Sequence, residues 1–261
     1  MAARLALRES GTVEIIALPF SRWSRAAVHS TFWLHLEGHT LPAELLRINA
    51  HAPDADAVRY AAHFLTRGCV VGIPTDTFYG LAADPFNLSA VDEIYRVKGR
   101  PETRALPILV NSLEQALMLL RDREDEPDGV PRAPRRFMRL AQMFWPGGLT
   151  LVMDASNRVP LKVTANTGKV ALRWPKSALV EELIKEFEGP ITGTSANVSG
   201  FPSCSAADQV MKQLGTRLPL VLDGGDTGAA LPSTIIELRG EEWKVLREGA
   251  IPVTEIEKAF Q

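Results

Sequence analysis

Histidine is missing from most of this chain. All five histidines of the 261 residues fall between His29 and His63. A Ser-His-Asp centre built only from the residues after 63 is therefore excluded. Cysteine is scarcer still. Cys69 and Cys204 are the only two, and they form neither a spaced zinc pair nor a disulfide framework. They read as free thiols in a reducing compartment, so a cytoplasmic location is expected. No apolar run approaches the length of a membrane-spanning helix. An excess of positive charge is also lacking, with 29 Lys and Arg against 31 Asp and Glu. That balance argues against a chain built mainly to coat nucleic acid, while a local basic patch is compatible with it. What is present, 46% apolar and 23% charged residues, suits an ordinary globular protein. The length allows one large domain or two small ones.

Residues 1–45 differ from the rest. They hold Trp23, Trp33 and three histidines, and only Val13–Leu18 reads clearly as a strand. Arg4, Arg8, Arg22 and Arg25 hint at a targeting segment, but Glu9 and Glu14 interrupt it. The segment is read as an N-terminal extension, followed by the main domain over 46–261.

From Asp54 the pattern becomes regular. Asp54–Arg67 is predicted helical, with Val58, Ala61, Ala62 and Leu65 on one face. Apolar runs predict strands at Cys69–Pro74, Leu106–Val110, Leu149–Met153 and Val170–Trp174, and then at Ile191, Leu220–Asp223, Thr234–Leu238 and Trp243–Arg247. Helices are expected from Ser89, Ser112, Arg135, Ser177, Ser205 and Thr254, with capping boxes at Ser89 and Ser205 and a cap at Thr254. Arg121–Arg136, with three prolines, reads as an exposed loop. The irregular alternation predicts a single α/β domain with a mixed, twisted sheet and an open concave face.

Several segments carry polar residues where a core would not want them. Gly72-Ile-Pro-Thr-Asp-Thr-Phe-Tyr-Gly-Leu81 leaves a buried strand with two hydroxyls and a carboxylate. Lys98-Gly-Arg100-Pro101 places two cations at a helix exit, where they either compensate the helix dipole or bind an anion. Thr194-Ser-Ala-Asn-Val-Ser-Gly200 precedes a helix and reads as an anion cradle or a capped loop. Ser195 has no nucleophile elbow and no downstream histidine, so it is a hydrogen-bonding ligand rather than a nucleophile. Arg173 interrupts the apolar strand Val170-Ala-Leu-Arg-Trp174 and needs a partner, internal or bound. Asp223-Gly-Gly-Asp-Thr-Gly228 is read as a plain turn.

With Phe144-Trp-Pro-Gly-Gly-Leu-Thr150, Arg173-Trp-Pro175, Ser233-Thr234 and Leu246-Arg-Glu-Gly-Ala-Ile251, this ordered set resembles the threonylcarbamoyl-AMP synthase family over residues 50–255. The resemblance implies one α/β domain with a large basic cavity. It implies that L-threonine, bicarbonate and ATP give threonylcarbamoyl-adenylate and pyrophosphate, with magnesium accompanying ATP. The product would pass to a separate transferase that modifies the adenosine next to a tRNA anticodon. By the same resemblance Lys98 and Arg100 are catalytic. Arg100, Arg104, Lys169, Asn197, Ser205 and Arg247 bind ATP, and Thr77, Arg173, Ser195 and Ser233 bind threonine. Arg104 departs from the family pattern, being followed by Ala105. The chain stops just after its last predicted helix, as expected of the family's short form without an added C-terminal domain. Two alternatives differ in class or substrate. One is a module binding duplex RNA or tRNA through Arg96, Lys98, Arg100 and Arg104. The other is a carbamoyl-phosphate-dependent adenylate former.

Overall fold

The computed structural model describes residues 42–121, 135–240 and 242–261, and the backbone of two strands nearer the N-terminus. The chain divides into two compact units, Met1–Thr40 and Leu41–Gln261. In the first, β1 (Ala2–Leu7) pairs antiparallel with β2 (Val13–Leu18), in register from Leu7 opposite Val13 to Ala2 opposite Leu18. The sequence reading anticipates β2 and misses its partner. Trp23, Trp33, Arg8, Arg22, Arg25 and nearly all of the predicted 121–136 loop lie outside the described residues.

The second unit opens with β3 (Glu44–Arg47), an edge strand exposed along most of its length. It offers no alternation to read, so the sequence assigned its first half to the extension. α1 (Ala55–Thr66) follows, capped by Asp54, whose carboxylate accepts from the amides of Asp56 and Ala57. Its buried stripe is Val58, Ala61, Ala62 and Leu65, as the periodicity predicts. Next come β4 (Val71–Ile73), β5 (Gly80–Ala82) and α2 (Leu88–Lys98). β6 (Ile108–Leu109), α3 (Leu113–Leu117) and α4 (Arg135–Phe144) lead into β7 (Leu149–Asp154) and β8 (Lys169–Arg173). α5 (Ala178–Phe187), β9 (Ile191–Thr192), β10 (Thr194–Ser195) and α6 (Ala207–Leu214) follow. The chain closes with β11 (Leu220–Asp223), β12 (Thr234–Arg239), β13 (Glu242–Arg247) and α7 (Val253–Lys258).

The expected capping boxes at Ser89 and Ser205 and the cap at Thr254 are not formed. α2 is capped by Asn87 rather than Ser89, because the helix starts at Leu88 and the Asn87 carboxamide takes the amides of Ser89 and Ala90. α6 begins after Ala206 with no side-chain cap, and the Ser205 amide donates to Gln209 Oε1 instead. α7 begins after Pro252, with the Val253 amide donating to Glu248 Oε1. Ser112 does cap α3, accepting from the Gln115 amide at 3.0 Å.

Two mixed sheets form where one was expected. One has the order β10-β5-β4-β11-β3, the other β13-β12-β7-β8-β6-β9. The chain passes from one sheet to the other at Gly193, between β9 and β10. A Cβ there would lie 2.4 Å from Leu109 Cγ, so any larger residue would have to displace that buried side chain. The stripe of α1 packs with Leu179, Val180, Leu183 and Ile184 of α5 against Val71, Ile73, Leu220 and Leu222 of the five-stranded sheet. A larger core beneath the six-stranded sheet includes Leu149, Leu151, Leu172 and Ile236. Truncating a fully buried leucine such as Leu65 to alanine would cost about 2–5 kcal/mol. These cores hold the opposite sheet face rigid, and that face carries the polar residues.

Candidate active site

Strand alternation puts Lys169, Ala171 and Arg173 on one face of β8, and Ile235, Glu237 and Arg239 on one face of β12. All six line a cavity of about 560 Å³. Across the sheet, Leu109 pairs with Arg173, and Thr150 pairs with Ile235, which pairs with Arg247. These also line the cavity, with Thr75–Gly80 except Asp76, and with Gly193, Thr194 and Ser195. The lining carries five cationic side chains and one carboxylate, Glu237.

Arg173 lies at the centre. It is 6% exposed. Its Nε donates to Gly147 O at 3.0 Å, Nη1 to Thr77 Oγ1 at 2.8 Å, and Nη2 to Asp76 Oδ1 at 2.6 Å. Three of its five N–H donors are thus engaged, and Asp76 is its internal counter-ion. Burial lowers the guanidinium's pKa, and Asp76 opposes that shift. The loop holding Asp76 is braced by Thr75, whose Oγ1 donates to Phe78 O and accepts from the Thr77 amide. Tyr79, fully buried, anchors the same loop by donating to Gly225 O at 2.7 Å.

Arg100 and Arg247 differ from Arg173. Arg100 donates to Thr194 Oγ1 and Ala105 O, at 3.0 and 2.8 Å, while its buried Nε has no partner. Arg247 donates from Nε and Nη2 to Ser233 O, and from Nη2 to Ser233 Oγ. Thr150 Oγ1 donates to the same Ser233 hydroxyl at 2.9 Å. Neither arginine has a carboxylate within ion-pair distance among the described residues. Burial lowers both pKa values, and Arg173 lowers that of Arg247 further. Arg100 is half-buried and Arg247 exposed, and a cation without an acid keeps its charge for an anion.

The other end of the cavity is neutralised internally. Lys169 Nζ lies 3.0 Å from Asp154 Oδ1 and 3.2 Å from Glu237 Oε1. Arg239 bridges both oxygens of Glu237 at 2.9 and 3.0 Å. Arg239, and then Lys169, hold the Glu237 carboxyl below the usual range against the opposing effect of burial.

Of the predicted residues, Thr77, Arg100, Lys169, Arg173, Ser195, Ser233 and Arg247 share the cavity. Four do not line it. Lys98 is not an exposed cation at a helix exit, as the sequence reading assumes. It is the last residue of α2, 2% exposed, and Nζ is turned onto Ser195 O and Asn197 O. Gly99 adopts a left-handed conformation, with φ of 56°, and turns the chain there. Arg104 is exposed, and its carbonyl accepts from Tyr95 Oη. Asn197 is buried and spends its Nδ2 donors on Val198 O and Phe201 O. Ser205 Oγ lies 3.5 Å from Asp226 Oδ2. The sequence reading missed Asp76, Thr150, Glu237 and Arg239. Glu237 carried a readable signal, since it interrupts Ile235-Ile236-Glu237-Leu238 much as Arg173 interrupts its own strand.

Residues 63–249 match the family described as telomere recombination, the Sua5/YciO/YrdC family. The chain belongs to this family. It is 38% identical over 205 residues to the threonylcarbamoyl-AMP synthase of Pyrococcus abyssi, covering 78% of this chain and 57% of that protein. It is 35% identical over 201 residues to the Bacillus subtilis protein of the same name, covering 77% and 55%. The Vibrio parahaemolyticus protein of that name is 32% identical over 185 residues, with 71% of this chain and 95% of that one covered. The chain thus spans little more than half the length of the first two relatives. The crystal structure of P. abyssi Sua5 complexed with L-threonine superposes with a TM-score of 0.77 at 34% identity, covering 83% of this chain and 61% of that one. Escherichia coli YciO superposes at 0.71 and 20% identity, which speaks for the fold alone. Among the described residues no helix is long and apolar enough to cross a membrane.

Proposed function

We propose that this protein forms threonylcarbamoyl-adenylate and pyrophosphate from L-threonine, bicarbonate and ATP. The observation that carries this reading is the pairing of two kinds of cation in one cavity. Arg173 is oriented by Asp76 and Thr77, and Arg100 and Arg247 have no acid partner. The volume, about 560 Å³, falls within the usual range of small-molecule sites, about 300–1,000 Å³.

The amino-acid carboxylate takes the two remaining N–H donors of Arg173, with Thr77, Ser195 and Ser233 around the rest of the molecule. The triphosphate supplies the counter-charge for Arg100 and Arg247. The threonine amine and bicarbonate condense to a carbamate with loss of water. A carbamate oxygen then attacks the α-phosphate, the bond to the bridging oxygen breaks, and pyrophosphate leaves. The protein's part is to hold the reactants in line and to neutralise developing phosphate charge. No covalent enzyme intermediate is needed.

Among the described residues no cluster of His, Cys, Asp and Glu side chains could hold a metal ion. Magnesium is therefore proposed only as the companion of the ATP phosphates, and no step is assigned to it. Asn197 and Ser205 remain proposed nucleotide residues on the resemblance alone, and the exposed Arg104 is proposed only as a weak nucleotide contact. The product is consumed by a transferase acting on the adenosine beside a tRNA anticodon, and a cytoplasmic location suits that substrate. Direct RNA binding is less well supported. Arg96 pairs with Glu93, and Lys162 with Asp92, so these surface cations are already neutralised.

The test uses purified protein, labelled bicarbonate, ATP and one amino acid at a time. Pyrophosphate release should require both threonine and bicarbonate and yield a labelled adenylate. Equal release without threonine would contradict the reading. Release with carbamoyl phosphate in place of threonine and bicarbonate would favour the rival adenylate former.

A further inference from the structure

Lys98 is the cation that the motif makes most prominent and the cavity does not contain. Its Nζ donates to Ser195 O, to Asn197 O at 2.8 Å and to Asn197 Oδ1 at 3.5 Å. Its own carbonyl accepts from the Ser199 amide at 2.9 Å. The Asn197 carboxamide is fixed in this sense because both Nδ2 contacts are to carbonyls, leaving Oδ1 for the lysine. An ammonium has three donors and no acceptor. Lys98 therefore meets three acceptors with three donors and has none left over for a ligand. The segment it grips matters for the cavity. Ser195 pairs with Gly80 and lines the cavity, and the neighbouring Thr194 accepts from Arg100.

We propose that Lys98 is a positioning residue, whose ammonium clamps residues 195–199 from within the core and thereby presents Ser195 to the cavity without touching the substrate phosphates. This rests on the proposed reaction only in taking Ser195 as a substrate contact.

The clamp has a consequence for pH. The charged groups facing Nζ are few. Arg100 opposes its charge, Cys204 favours it weakly, and no carboxylate pairs with it among the described residues. Around them, Gln213 Nε2 donates to Cys204 Sγ, and Arg217 donates to the Val97 carbonyl. Burial, then Arg100, lower the lysine from 10.5 to about 7. A neutral amine has only two donors, so one of the three contacts is lost when the proton leaves. Global stability moves the other way. Between the folded and unfolded pKa values the unfolded chain binds the extra proton, so stability rises with pH over that interval. Alkaline pH should thus release the clamp while raising the melting temperature. A cation that held phosphate would instead be drawn upward in pKa by its ligand.

The test is a pH titration of lysine 15Nζ signals in the full chain, without ligand and with magnesium ATP but no threonine. The Lys98 signal is assigned by its absence in Lys98→Met or, should that variant not fold, in Lys98→Arg. In the free protein the signal should titrate near neutrality. With ATP bound its pKa should rise by less than about one unit, as the phosphates offset the charge of Arg100. A rise of about one unit or more would overturn the proposal, because that is the mark of direct phosphate contact. Hydrogen exchange in the free protein is independent of ATP. Amide protection at residues 195–199 should fall at least about threefold once Lys98 is deprotonated, after correction for intrinsic exchange. Unchanged protection would overturn the clamp. Absence of threonine-dependent pyrophosphate release would contradict the proposed reaction, while leaving both lysine measurements decisive.

Discussion

The two ends of the cavity carry similar numbers of cations and behave differently. At one end Lys169 and Arg239 are neutralised by Glu237 and Asp154. At the other Arg100 and Arg247 hold only hydroxyls and carbonyls, and Arg173 shares one acid, Asp76. Charge count alone would rank the ends alike. Pairing separates them. An ion pair made within the protein leaves little for a ligand, whereas a guanidinium bonded only to neutral acceptors retains its charge to offer.

The sharpest way to break this comparison is to remove one of the unpaired cations. Arg100→Met should lower kcat/KM for pyrophosphate release by about 10²-fold or more. It should leave the melting temperature unchanged or raised, because a dehydrated cation without an acid partner is removed. A large fall in melting temperature would show that Arg100 is structural.

The neutralised end should respond in the opposite sense. Glu237→Gln frees Arg239 and leaves Lys169 with Asp154 alone, so the ATP requirement should fall about threefold at low ionic strength, and the gain should shrink with added salt. The same carboxylate contributes to acid stability. Its folded pKa lies below the unfolded value, so its contribution is present above the unfolded pKa and is lost as pH falls through the folded one. Glu237→Gln should flatten that acid limb in thermal melts. The smallest effect is expected at Arg104, whose side chain is exposed. Arg104→Ala should change the ATP requirement by less than about twofold. A tenfold change would place it in the nucleotide site.

Sequence legibility follows the same division. The α1 stripe, most strands and the polar loops after β4 and β9 were readable because burial period and misplaced polar residues leave a local signature. Seven of the residues named from the motif order do share the cavity. What could not be read was pairing across the fold. Asp76 sits inside the opening motif, but nothing local says that it would reach Arg173, 97 positions away. Lys98 reads as a solvent-facing helix end, because its three acceptors lie nearly a hundred residues downstream. The chain crosses between the two sheets at Gly193, where the close approach that favours glycine comes from the Leu109 side chain and not from neighbours in sequence.

The central claim is that Arg173 takes the amino-acid carboxylate while Arg247 takes the phosphates. It is tested most directly by crossed titrations of wild type, Arg173→Lys and Arg247→Met, with threonine varied at saturating ATP and ATP varied at saturating threonine. Lysine keeps the charge at 173 and loses the fork. Arg173→Lys should raise the threonine requirement more than tenfold, about 1.4 kcal/mol, and leave the ATP curve within about twofold. Arg247→Met should shift the ATP curve by a similar factor and the threonine curve by less, since Ser233 loses Arg247 but keeps its bond from Thr150. If Arg173→Lys moves the ATP curve and Arg247→Met moves the threonine curve, the roles of these two arginines are inverted and the assignment is wrong.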